Sequence, residues 1–484
     1  MKWICPSTQI CVMLNHYWIQ FAKSSQKKAE TTRLSSQSGE DLNEIKGDKK
    51  FVSNRMSKPL ESLFNKHGDI VCLNIPLCGN VILVDKPELI HEVYRQRDMS
   101  QMTNSSFDSL NEVYNVLGKK NMRMDAISSV DDHMTCVIEH FDLKNLFWSA
   151  NRYHDSLEKI SDLLVQRITF TRDMHNEVPQ DFIKELNKWS LECMMQVLFA
   201  TEIGSLRSTS YLGHQETDRV LKSLTDATDA LRNCESGIQL WRVYETSSFT
   251  KLAESIKNLE RFLCKHIPLL RHDTKLEQRL EMLQSNLESK QNASSLISGL
   301  ILSGYVDVDK LLKICMETML IAVNTTSTSL GFVLYHLARN QEKQKVLHKE
   351  LISVLPDKIS KLNSEVLQEL PYLNACVQET LRLKHPIPYS IMRLQRSIVL
   401  HKYYIPAGIT TSPELYQDTI SPLLEAQFEP FLGRDWLQKQ LLVGTAKIIR
   451  NFNVRYRYGE ISKEGEFLSK PTKPFQFEFL EQHV

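Results

Sequence analysis

Apolar residues recur at three- and four-residue spacing over 154–172, 180–200, 216–231, 248–268 and 274–303, the period of helices with one buried face. The longest uninterrupted stretch of this kind runs from Leu311 to Arg339. Started near Asp307, it would extend about 50 Å at about 1.5 Å per residue, long enough to cross a domain. Two short apolar runs, 69–75 and 80–84, meet at Gly79-Asn80 and predict a β-hairpin. Asp85-Lys86-Pro87 then opens a helix to about Gln96, with proline in its first turn. Pro356-Asp357 breaks the chain, a helix follows at about 372–383, and Pro386 and Pro388 end it. Residues 397–406 read as strand and turn, and 441–450 as a helix. There is no internal repeat and no obvious linker after residue 50. The pattern therefore predicts one large, mainly α domain over 51–484 with a small β region, preceded by a leader and flexible connection over 1–50.

Composition narrows this little. Apolar residues make up 42% of the chain and charged residues 24%, ordinary values for a folded protein. The 16 glycines are about half the usual share, which favours helices over a turn-rich β fold. A net charge of +1 makes no electrostatic case for nucleic acid. The ten cysteines form no CxxC pair and no even framework, so they read as scattered thiols of a reducing compartment. HExxH, the phosphate-binding GxxxxGK[ST], GxGxxG and GxSxG are all absent. Trp3 to Ala22 carries no charge but too many polar residues for a membrane span. The first acid is Glu30, with Lys2, Lys23, Lys27, Lys28 and Arg33 around it, which suits either a mitochondrial transit segment or a disordered tail.

Three stretches carry a more specific signal. Cys376-Val-Gln-Glu379-Thr-Leu-Arg382 is followed by Pro386, Arg393 and Ile405-Pro-Ala-Gly408. Upstream, Ala322-Val-Asn324-Thr325-Thr326 sits mid-way along the long helix. Glu379 and Arg382 are three apart and share a helix face, where such a pair is ordinarily a surface ion pair of small worth. A threonine within a Thr-Thr-Ser-Thr run ordinarily bonds back to its own helix. Together, in this order, these residues resemble the cytochrome P-450 family of haem-thiolate monooxygenases. The resemblance covers about 55–484 and is strongest over 311–408. Asp181–Glu192 and the ending around Val454–Gly459 further resemble the animal and arthropod mitochondrial members.

The resemblance implies haem, iron chemistry and hydroxylation of a lipophilic, steroid-like or xenobiotic molecule. Electrons would come from NADPH through a ferredoxin, in the mitochondrion, with a peripheral membrane contact. It casts Thr325 as the hydroxyl facing bound oxygen, and Asn324 stands where the family carries an acid. An amide can hydrogen-bond but cannot supply a proton at neutral pH. Ala322 replaces the usual glycine and crowds the oxygen site with a methyl group. Arg393 takes the position that contacts a haem propionate. Glu379 and Arg382 take a structural role beside the haem, with Arg434 a third partner. Asn374 and Gln378 occupy the positions of the cations that attract an acidic ferredoxin, and both are neutral.

The largest departure is that no cysteine follows Cys376. After Trp436 the family has a glycine-rich loop bearing the axial cysteine. Here Trp436-Leu-Gln-Lys-Gln440 runs straight into Leu441, as though that loop were deleted between Trp436 and Leu441. No histidine replaces it, since the only later one is His483. Two readings remain open: a monooxygenase whose chain here is defective, or a non-catalytic descendant that binds an apolar ligand or a protein partner.

Overall fold

The two apolar runs pair as an antiparallel hairpin, β1 (Ile70–Ile75) and β2 (Gly79–Val84), in register from Ile70↔Val84 to Ile75↔Gly79. In the computed structural model, described residues are 64–65, 67–75, 79–84, 86–95, 107–118, 151–207, 211–235, 239–266, 295, 308–357, 361–386, 392–393, 397–401, 403–406, 410–413, 434–464 and 469–482. The leader expected over 1–50 and the helix expected over 274–303 lie outside them.

Helix α1 (Pro87–Arg95) starts on its proline and carries Glu88 in the first turn, where the helix dipole favours an acid. There follow α2 (Asp108–Val116), α3 (Asn151–Thr171), α4 (Ile183–Phe199), α5 (Tyr211–Glu235), α6 (Ser247–His266) and α7 (Val308–Arg339). A 3₁₀ turn, Leu240–Arg242, lies between α5 and α6. Next come α8 (Gln341–Val354), α9 (Ser364–Gln368) and α10 (Pro371–Leu383). Short strands β3 (Met392–Arg393), β4 (Ile398–Leu400), β5 (Tyr403–Ile405) and β6 (Thr410–Pro413) precede α11 (Arg434–Asn451). The chain closes with β7 (Phe452–Arg455), β8 (Lys463–Glu464), β9 (Lys470–Pro471) and β10 (Glu478–Glu481).

One sheet has the order β1-β2-β6-β3, with β2 and β6 parallel. Ile82 and Val84 of β2 pack with Ile90, Val93, Ile398, Leu400 and Ile405 in a small core of their own. The main core is helical and centred on α7, which packs against α4, α5, α10, α11 and β7. Its apolar stretch is buried nearly all round, as a central helix must be: every residue from 325 to 335 is buried. Phe475, Phe477 and Phe479 alternate with polar neighbours up to and into β10, and all three are fully buried. Phe475 explains Gly331 of α7, because a Cβ there would lie 2.3 Å from the ring.

The helix that carries Glu379 and Arg382 is held from outside itself. Pro371 opens α10, and both carboxylate oxygens of Glu350 on α8 accept its first N–H groups, Tyr372 at 2.8 Å and Leu373 at 2.9 Å. An acid from another helix thus satisfies donors that a helix start leaves unpaired. The C-terminal helix differs from the sequence expectation. It begins at Arg434, not at 441, so Trp436 and Leu441 lie within one continuous helix and no loop separates them.

Candidate functional site

The middle of α7 is where the sequence places the chemistry. Glu317, Thr318, Ile321 and Ala322 are half-buried, in contrast to the fully packed turns that follow. Their three- and four-residue spacing puts them on one face, with Thr325 at its end. The Thr325 hydroxyl donates to Ile321 O at 2.8 Å and lies 3.2 Å from Ala322 O. It is bonded into its own helix, as hydroxyls commonly are at such positions. Asn324 sits at the edge of this face and turns to α5. Its amide donates to Thr228 Oγ1 at 2.7 Å and to Leu224 O at 3.3 Å. The structure therefore brings Thr325 and Ala322 together and commits Asn324 to joining two helices.

One charged group on this face gave only a spacing signal in the sequence. Lys313 and Glu317 are four apart on α7 and lie 3.8 Å apart, and Tyr114 of α2 donates to the Glu317 carboxylate at 3.3 Å. The Lys313 ammonium also stands 5.8 Å above the Tyr114 ring. Burial raises the Glu317 pKa above its ordinary value, and the Lys313 charge opposes that rise. Contact with α2, distant in sequence, is what turns this pair inward.

On α10, Arg382 grips Glu379 through two bonds, Nε to Oε2 and Nη2 to Oε1, each 2.7 Å. The hydrogen bond from Arg382, then burial in the opposite sense, leaves the Glu379 pKa below its ordinary value. The carboxylate is 55% exposed, so the pair orders a surface more than it stabilises a core. Asn374 accepts from Gln438 of α11 at 2.8 Å, which ties α10 to α11. Gln378 is exposed. Arg393 lies on β3, paired with Thr410 of β6. The side chains of Arg393, Arg434 and Trp436 lie outside the described residues.

A thiolate is the form of cysteine that ligates iron. The described cysteines are Cys72, Cys193, Cys234, Cys264, Cys315 and Cys376, and none is on α11. Burial pushes Cys376 up to about 11 and Cys234 up to about 12, and it pushes Cys72, Cys193 and Cys315 upward too. The chain has no cysteine after Cys376, so the residues present around and beyond α11 do not fit a thiolate-ligated haem.

The family model of cytochrome P-450 matches residues 42–417, more than half of the chain. The match stops before α11. Probable cytochrome P-450 49a1 of Drosophila melanogaster is 26% identical over 366 residues, covering 68% of this chain and 61% of that protein. Cytochrome P-450 CYP12A2 of Musca domestica is 26% identical, covering 69% of this chain and 68% of that one. Probable cytochrome P-450 12a5, mitochondrial, of Drosophila melanogaster is 24% identical, covering 68% and 67%. The matched stretch thus spans about three fifths of the first relative's length and about two thirds of the other two. The fold agrees with the crystal structure of the cytochrome P-450DA heme domain at a TM-score of 0.63 and 13% identity, covering 89% of this chain and 94% of that one. By its sequence and its fold, this chain belongs to the cytochrome P-450 family.

Proposed function

We propose that the chain derives from a mitochondrial cytochrome P-450 that hydroxylates a lipophilic, steroid-like or xenobiotic substrate, and that this polypeptide lacks the thiolate its family uses to activate oxygen. The observation that carries this reading is that no cysteine follows Cys376, while α11 runs unbroken from Arg434 through Leu441. In the ancestral activity a haem supplies the oxygen chemistry, with NADPH-derived electrons delivered by a ferredoxin-type donor. The mitochondrial placement is supported by the names of several relatives.

Docking of an acidic donor is weakened in this chain. Asn374 is spent on Gln438, and Gln378 offers an exposed amide in place of a cation. A peripheral membrane contact is supported by Leu240, Val243 and Tyr244, which stand exposed between α5 and α6. Among the described residues no helix is long and apolar enough to cross a membrane.

The test is the reduced-carbon-monoxide difference spectrum of the purified chain after haem loading. The reduced carbon-monoxide complex of a thiolate-ligated haem has a characteristic red-shifted band, and no such band is expected. A clear band of that kind would overturn the reading. The half-buried face of α7 favours one alternative, a non-catalytic binder of an apolar ligand. Under that alternative a fluorescent lipophile binds saturably and Ile321→Trp, which fills that face, abolishes the binding.

A further inference from the structure

We propose that α4, α7 and α11 enclose a buried hydration site, with ordered water held between Ser190, Thr326, Ser329 and Gln440. The three helices meet closely. A Cβ on Gly444 of α11 would lie 2.9 Å from the Trp189 ring of α4 and 3.4 Å from Leu330 of α7. Gln440 is one turn before Gly444, and Thr326 is one turn before Leu330, with Ser329 on that same face. Cys193 is one turn beyond Trp189, and its thiol neighbours the Gln440 amide.

These side chains are buried and lack protein partners. Ser190, Thr326 and Gln440 are 0% exposed and Ser329 is 1% exposed. The three hydroxyls, and both polar atoms of the Gln440 amide, have no hydrogen bond of normal geometry. A thiol is too weak a partner to replace one. Other hydroxyls of α7 bond back to carbonyls one turn earlier: Thr325 to Ile321 at 2.8 Å and Ser327 to Val323 at 2.9 Å. Thr326 and Ser329 make no such bond, so their buried oxygens need a partner from outside their own helix.

Left dry, four such groups would offset a large share of a domain's net stability. Water suits the set, because it both donates and accepts, and a buried water takes two to four polar partners. The Gln440 amide offers a donor and an acceptor together. An apolar ligand would satisfy none of these atoms. The site begins one turn beyond Ala322, so it continues the half-buried face of α7 into the bundle.

Oxygen-17 magnetic relaxation dispersion on the full chain counts long-lived internal water. A protein holds about one such water per 27 residues, so the difference between wild type and variant is what is read. Gln440→Met, close in shape and without the amide, is expected to lose at least one long-lived water and to melt about 2–4 °C lower. If that variant does not fold, Thr326→Val removes one hydroxyl at constant shape and is expected to lose a water with a smaller drop. A folded variant that keeps every long-lived water overturns the proposal, and so does a rise in melting temperature at an unchanged water count.

Discussion

Lys447 and Arg450 in the second half of α11 and Gln440 in the first are all buried but are met differently, and Thr445 is buried with no hydrogen-bond partner. In the second half, Lys447 lies 2.8 Å from Glu158 and 3.0 Å from Asp162 of α3. Glu158 also accepts the Leu362 N–H at 2.8 Å. Arg450, 3% exposed, donates through Nε to Leu355 O at 3.0 Å and through Nη2 to Pro356 O at 2.6 Å, leaving only Nη1 unpaired. In the first half, Gln440 is equally buried and its amide has only the weakly bonding Cys193 thiol beside it. The second half clamps α3, α11 and the 355–362 segment into one unit. Both halves lie beyond residue 417, where the family match ends. A helix can be geometrically continuous while only part of it is integrated with its surroundings.

The sharpest way to break this contrast is Lys447→Met. Removing one partner of a buried pair leaves Glu158 charged and unmatched, and should cost about 3 kcal/mol in denaturant unfolding. A cost below about 1 kcal/mol would place the clamp among ordinary surface pairs. The effect should depend on pH. Burial alone raises the Glu158 carboxyl, but the bonds from Lys447 and Leu362 outweigh it and its pKa is lowered. Its stabilisation is therefore present above the unfolded carboxyl pKa and is lost as pH falls through the lower folded value. The gap between wild type and Lys447→Met should narrow in acid and be widest near neutrality.

Gly444→Ala tests the junction between the halves. The added methyl meets Trp189, whose indole is fully buried and donates to Ser161 at 3.1 Å, so it has little room to yield. Overpacking of this kind should cost about 2 kcal/mol, read as a lower denaturant midpoint at an unchanged slope. The smallest effect is expected at the first half. Asn374→Ala removes the acceptor for Gln438 and should cost about 0.5–1 kcal/mol, because Gln438 is half-buried and water can replace the bond. A larger loss would mean that the first half is held as firmly as the second.

Much of the frame was legible in the sequence. The hairpin at 70–84, the long central helix and the helix carrying Glu379 and Arg382 follow from apolar period, Gly79-Asn80 and the flanking prolines. Thr325 and Ala322 share a face because helical spacing puts them there. The pairing of Glu379 with Arg382 follows from three-residue spacing, and the structure adds that it is largely exposed. Asn324 shows the limit. Its position was readable, but α5 lies about a hundred residues away in sequence, and only packing could direct the amide to Thr228. Glu350 is similar: nothing local marks it as the cap of α10, since its partners are on another helix. The start of α11 is not legible because Gln438-Lys439-Gln440 is polar and interrupts the apolar period between Leu437 and Leu441.

The sequence by itself determined the family, the mainly α fold and the absence of any cysteine after Cys376, because composition, period and motif order are properties of the chain alone. Tertiary structure decided which polar side chains find partners. It gave Lys447 and Glu158 to each other, turned Asn324 toward α5 and left Gln440 with no partner stronger than the Cys193 thiol. Burial and long-range packing set the cost of each polar atom, and neither is encoded in the local run of residues that carries it.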